Sequence, residues 1–268
     1  MSNLDVAEWL TPDWPVSPHV RSIFTTRSGG ISQPPWASLN LGDHVGDDAE
    51  HVAENRLILR RAIGVDPVFL TQVHGCDVRD VHAHMPDGAI ADACWTDQVG
   101  VACTIMVADC LPLLITNAQG SWVAAAHAGW RGLAGQGGRG VVETTLARCL
   151  NDSQGEGAKP SDVRVWLGPC IGPTAFEVGP EVKAAFCEHD SVADAAFELQ
   201  RNGRFLANLA LLARQRLHRA GVKAIYGNDS SAAWCTHTQS SQFFSHRRDA
   251  HLLGSTGRMA AAIWLHNG

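Results

Sequence analysis

Three apolar runs, residues 101–107, 113–116 and 122–126, follow one another closely, and residues 117–120 carry a hairpin-turn signal between the last two. This dense strand block constrains the fold most. Further extended segments at 68–73, 78–82, 163–167, 222–226 and 260–265 intermix with helical patterns. Asp47 or Asp48 caps a helix carrying Val52, Leu57, Ile58, Leu59 and Ile63, which stops at Gly64 as a C′ glycine. Residues 141–150, 173–187 and 205–220 read as helices, the last stopped at Gly221, and 151–160 as a polar loop suited to insertions. The order lacks the regular alternation of a doubly wound sheet, so the expected fold is α+β, one domain over 1–268 with mixed β-sheets and a lead-in over 1–20.

The 268 residues, 45% hydrophobic, suffice for one sizeable core or two small ones. A formal charge of −6 argues against non-specific binding to nucleic acid or anionic lipid. No stretch approaches the roughly 18 apolar residues of a membrane span. Residues 1–14 are acidic and contain Pro12, unlike a signal peptide. A cytoplasmic protein is therefore expected. The eight scattered cysteines form no CxxC pair and read as reduced thiols, most of them buried hydrophobes, Cys94 and Cys187 among them.

Three segments place metal-competent side chains at the ends of apolar strands. Thr71-Gln72-Val73-His74-Gly75 ends in a histidine, Val107-Ala108-Asp109-Cys110-Leu111-Pro112 passes through Asp-Cys, and Ala126-His127-Ala128-Gly129-Trp130-Arg131-Gly132 ends in a histidine and a Gly-rich turn. Two histidines and a cysteine form a borderline-soft set suited to zinc, and three protein ligands leave the fourth position that catalytic sites keep open. Each residue taken singly is more often an ordinary strand-end side chain than a metal ligand. Arg131 is positioned to present a planar guanidinium to phosphate or ribose, with a salt-bridged turn as the alternative. His246-Arg247-Arg248 is either an anion contact or a salt-bridged corner. His82-Ala83-His84 has the HxH form of copper oxidases but sits in a Pro-Asp-Gly-bounded loop and reads as exposed. Asp109 is a candidate to orient a ligand or to cap the following turn.

TQVHG, ADCLP and HAGWRG, followed by Gly168-Pro169-Cys170-Ile171-Gly172 and Phe176-Glu177-Val178-Gly179, resemble the YfiH/laccase-domain family. The flanks Thr25-Thr26-Arg27-Ser28-Gly29-Gly30, Ser38-Leu39-Asn40-Leu41-Gly42, Glu54-Asn55-Arg56 and Phe243-Phe244-Ser245-His246-Arg247-Arg248-Asp249 extend the similarity to about 20–265. His246 replaces the tyrosine of many relatives. The resemblance implies a layered α/β/β/α fold, zinc (or copper) on His74, Cys110 and His127, and catalysis by those residues with Arg131. It implies substrate contacts from Asn40, Arg56, Gln72, Arg131 and Arg247. The implied activities are phosphorolysis of adenosine, inosine, guanosine or methylthioadenosine and deamination of adenosine, by a monomer or weak homodimer whose partners are nucleoside and phosphate. Alternatives are a copper-dependent polyphenol oxidase, a cysteine or zinc hydrolase editing a peptidoglycan precursor, and a metal-stabilised binding domain.

Overall fold

The computed structural model describes residues 9–151 and 159–267. Most of the expected insertion loop and of the acidic N-terminal stretch lies outside the described residues. The strands are β1 (Val20–Phe24), β2 (Asp66–Phe69), β3 (Val78–Asp80), β4 (Ala93–Thr96), β5 (Val101–Val107), β6 (Leu111–Asn117), β7 (Val123–Ala128), β8 (Val163–Leu167), β9 (Glu177–Val178), β10 (Phe197–Leu199), β11 (Phe205–Ala207), β12 (Ala224–Gly227) and β13 (Met259–Leu265). The principal helices are α1 (Ala49–Ile63), α2 (Trp130–Ala134), α3 (Val141–Asn151), α4 (Pro180–Cys187) and α5 (Leu209–Arg219).

Two mixed sheets carry the architecture, one ordered β1-β13-β5-β2 and the other β12-β8-β6-β7-β4-β3. The two-residue periodicity of the strands explains the layering. Along β5, Cys103, Ile105 and Val107 point into the core between the sheets, where they meet Ala261 and Ile263 of β13, Leu114 of β6, Val123 and Ala125 of β7, and Trp166. The opposite faces of β5 and β13 contribute Met106 and Ala260 to a cluster with Ile58 and Leu59 of α1. On the far side, Leu113, Ile115, Ala124 and Ala126 pack on Val142, Leu146, Leu212 and Leu217 from α3 and α5. The result is the α/β/β/α stack that the resemblance implied. Each fully buried aliphatic side chain here contributes about 1.5–3 kcal/mol by transfer from water.

Asp48 caps α1 by accepting from Glu50 N at 2.8 Å, and Gly64 closes it at φ 73°. Other boundaries differ from the sequence reading. The helix expected over 205–220 divides: β11 pairs with β9 and β10, Asn208 caps by accepting from Leu211 N at 2.9 Å, and only then does α5 begin. The helix expected over 173–187 begins only at Pro180, after the short strand β9, because Gly179 and Pro180 form a natural helix start. Strands β1 and β4, absent from the sequence reading, are short and carry the polar residues Arg21, Ser22 and Thr96. Cys94 is buried, whereas Cys187 is only half-buried.

Candidate active site

Strand alternation places the first site residue. Val123 and Ala125 of β7 face the inter-sheet core, so His127, two further on, continues that face where the layer opens. Cys110 sits in the three-residue connector between β5 and β6, and the β6–β7 register sets Pro112 opposite His127. One hairpin therefore supplies two of the three candidate ligands. His74 arrives differently. It lies in the loop beyond β2 rather than at a strand end, with φ 59°. One ligand atom from each of His74, Cys110 and His127 lies within 4.8 Å of the others. The rings of His74 and His127 meet edge-on, with centroids 4.8 Å apart.

Asp92 joins the two histidines. Its carboxylate accepts the backbone N–H groups of Val73 (3.1 Å), His74 (2.9 Å) and Gly75 (2.6 Å), and lies 2.8 Å from His127 Nδ1. It is fully buried. Burial alone would raise its carboxyl, but the His127 bond and the backbone donors outweigh this and hold it below its ordinary value. A proton on His127 Nδ1 directed at Asp92 leaves Nε2 for a metal. Sequence reasoning missed Asp92 because its place follows from the β4–β7 register, Ala93 opposite Ala126.

Burial would raise the Cys110 thiol, yet His127 and His74 beside it bring it down to about 6. His127 is opposed by burial in turn, but the Cys110 charge and the Asp92 bond raise it to about 9. The donor set thus already favours a thiolate. Gly129 supplies a second test of fit, because a Cβ there would lie 2.5 Å from His74 Nδ1 and 3.1 Å from Cys110 Sγ. The chain leaves open the space an ion would occupy. The residues fit a single three-ligand metal site.

A cavity of about 260 Å³ opens over this cluster, walled by His44, Gln72, Met106, Ile171, Phe176, His246, Arg247 and Arg258 among others. The expected contacts are placed unequally. Gln72 lines the cavity, but its amide exchanges two 2.8 Å bonds with the Met106 backbone and so docks the His74 loop onto β5. Arg247 lines the cavity, donating to the Glu177 carbonyl at 3.0 Å. Arg131 does not. It belongs to α2 rather than to a turn, is exposed, and stacks on Trp130 at 4.4 Å beside a neighbouring pocket that shares only His74 with this one. Arg56 lies over the Phe69 ring at 4.1 Å and pairs with Asp43 and Asp87 in a separate groove between α1 and β2. Asn40 is fully buried and acts within the scaffold, bonding Gly42, Asp47 and the Arg258 backbone.

Asp109 bonds none of the three candidate ligands and does not cap the turn that follows it. It accepts Thr236 Oγ1 (2.6 Å), Ser245 Oγ (3.0 Å) and Arg247 N (2.7 Å), tying the C-terminal loop to the cavity floor. Arg248 forms the salt-bridged corner with Asp249, at 2.6 and 2.9 Å. His82 and His84 are exposed loop residues.

Residues 21–266 match the family model described as multi-copper polyphenol oxidoreductase laccase. The chain is 45% identical over 262 residues to the purine nucleoside phosphorylase YfiH of Escherichia coli, covering 97% of this chain and 100% of that one. It is 48% identical over 260 residues to a purine nucleoside phosphorylase of Pseudomonas aeruginosa, covering 97% and 99%. The crystal structure of Neisseria meningitidis protein NMB0706 superposes with a TM-score of 0.87 at 43% identity, over 97% of this chain and 100% of that one.

Proposed function

The chain belongs to the multi-copper polyphenol oxidoreductase laccase family, and from that premise we propose that it is a zinc-dependent purine nucleoside phosphorylase. One observation carries the reading: a single His74–Cys110–His127 cradle at the floor of a small cavity that also holds two arginines. Relatives named purine nucleoside phosphorylases, similar over nearly the full chain, support it. A multicopper oxidase needs several copper centres, and among the described residues this is the one group of three or more metal-competent side chains. The N₂S donor set suits zinc.

A zinc ion on His74, Cys110 and His127 would supply Lewis acidity at its open position. Asp92 fixes the orientation of His127 and the height of the His74 loop. Ile171, Phe176 and Met106 offer an apolar wall to a purine. In the reaction a phosphate oxygen bonds to C1′ of the ribose as the C1′–N bond breaks. The bonding pair leaves on the purine nitrogen, which takes the proton of hydrogen phosphate; ribose 1-phosphate and free base result. Deamination of adenosine is a second reaction of the proposed site. Zinc deaminases shuttle the proton on a glutamate, and among the described residues the one carboxylate lining this cavity, Asp109, is held in place by three donors. Phosphorolysis is therefore the faster activity in this reading.

A second reading rests on the Cys110–His127–Asp92 alignment, which has the nucleophile, base and orienting carboxylate of a cysteine hydrolase. Metal content separates the two, because a zinc-bound thiolate is a poor free nucleophile. The deciding experiment is elemental analysis of purified protein beside inosine and adenosine turnover with and without phosphate. One zinc per chain with phosphate-dependent inosine cleavage is expected. Metal-free protein with no phosphate dependence refutes the proposal.

A further inference from the structure

Among the described residues, Arg258 is an arginine with no carboxylate bonded to its guanidinium. The β13–β5 register sets Met259 opposite Val107, so Arg258 lies one step beyond, alongside the connector that carries Cys110. Its backbone is gripped on both sides: its N–H donates to Asn40 Oδ1 at 2.9 Å, and its carbonyl accepts from Leu41 N at 3.1 Å. Gly42 makes room for its stem, since a Cβ there would stand 2.7 Å from Arg258 Cγ. The side chain is half-buried and lines the cavity over the metal-ligand cluster. Nη1 donates to the carbonyls of Thr256 and Gly257 at 3.1 and 3.2 Å. Among the described residues no acceptor engages Nε or Nη2 and no carboxylate pairs with the guanidinium.

Arg56, Arg216 and Arg248 each have a carboxylate partner. Among the described residues lining the cavity the one carboxylate, Asp109, accepts from Thr236, Ser245 and the Arg247 N–H rather than from Arg258. Arg247, on the same cavity, likewise has no carboxylate partner among the described residues. Burial pulls the Arg258 guanidinium below its ordinary value, against the opposing charges of Cys110 and Asp109. A half-buried arginine with no carboxylate hydrogen-bonded to it is under-compensated, and a bound anion would offset that cost. The free Nε–Nη2 edge is the one that grips a phosphate through two parallel bonds.

We propose that Arg258, assisted by Arg247, is the subsite for inorganic phosphate, in place of Arg131. This assignment rests on the phosphorolysis reading and supplies its second substrate with a seat. Asn40, expected as a substrate contact, is then a positioning residue that acts through the Arg258 backbone.

The test titrates inorganic phosphate calorimetrically into as-purified wild type, Arg258→Gln and Arg258→Lys, beside initial rates of inosine cleavage against phosphate concentration. Zinc content and melting temperature are measured on the same samples. Arg258→Gln is expected to weaken phosphate binding and raise the phosphate KM roughly 10- to 100-fold, the loss of one charge-assisted pair. The inosine KM should stay within about threefold and the zinc content should not change. Arg258→Lys, which keeps the charge without the fork, falls between and stands in if the glutamine variant fails to fold. Equal phosphate affinity and phosphate KM in wild type and both variants overturns the assignment and leaves phosphorolysis standing. Wild type that binds phosphate through Arg258 but cleaves no inosine overturns the phosphorylase reading alone. Wild type that neither binds nor uses phosphate overturns both.

Discussion

Gly129→Ala would place one methyl group against two of the three candidate metal ligands. The backbone there, φ −66° and ψ 159°, is open to any residue, so the substitution carries no conformational strain. Restricting the unfolded chain even favours the alanine form by about 0.4–1 kcal/mol. The new Cβ stands 2.5 Å from His74 Nδ1 and 3.1 Å from Cys110 Sγ. Ordinary contact begins near 3.4 Å, so the His74 ring must withdraw by about 0.9 Å (3.4 − 2.5). It has little freedom to do so, because its backbone is pinned to Asp92 and already holds a left-handed conformation. Metal–ligand distances tolerate deviations of about ±0.2 Å. The displacement therefore exceeds that tolerance several-fold, and zinc affinity should fall by more than the roughly 10- to 100-fold typical of disturbed outer-sphere contacts. The assay is competition with a chromophoric zinc chelator, with thermal unfolding of the metal-free protein as the control. Wild-type zinc affinity in a natively stable Gly129→Ala protein would refute the assigned cradle.

Asp92→Asn should weaken zinc binding roughly 10- to 100-fold in the same competition assay, because an amide presents N–H where Asp92 now accepts backbone donors and His127; unchanged affinity would make Asp92 a bystander. In metal-free protein, iodoacetamide should alkylate Cys110 with a midpoint near pH 6, while Cys149 and Cys170, pushed up by burial, stay unreactive; mass-spectrometric mapping across pH checks this. The stabilities follow with opposite signs. The Cys110 contribution is full above the ordinary thiol value and lost as pH falls through about 6; the His127 contribution is full below its ordinary value near 6.5 and lost as pH rises through about 9. Asp109→Ala should release the loop holding Arg247 and raise the phosphate KM, with faster amide exchange at residues 245–247 as the structural readout.

His74, Cys110 and His127 were legible because each sits in a distinctive local motif. That they converge was not legible from spacing, since His74 reaches the site through a left-handed loop rather than along a strand. Asp92 and Arg258 escaped notice for a common reason: each is placed by strand register, and neither stands in a segment whose composition advertises chemistry. Arg131 shows the reverse, a basic residue in a conspicuous motif whose side chain folds onto its own neighbour Trp130. The helix over 205–220 was misdrawn because one apolar pattern runs unbroken through Asn208, and the cap takes effect only once β11 has found β9. Helix α1 was legible from both ends because its caps are local.

The position of β13 has a consequence for how the chain is made. This strand comes late in the sequence, yet it lies inside its sheet, bonded to β1 on one edge and β5 on the other. During synthesis the β1 and β5 edges emerge long before their shared partner and stay unpaired, the state in which strands recruit foreign chains. Arg258, immediately before β13, takes its place only when that strand docks. A chain halted before Met259 would still contain His74, Cys110 and His127, but its central sheet would be split. Completion of the cavity thus waits on the synthesis of β13, and products truncated before it should surface as aggregates rather than as partly active enzyme.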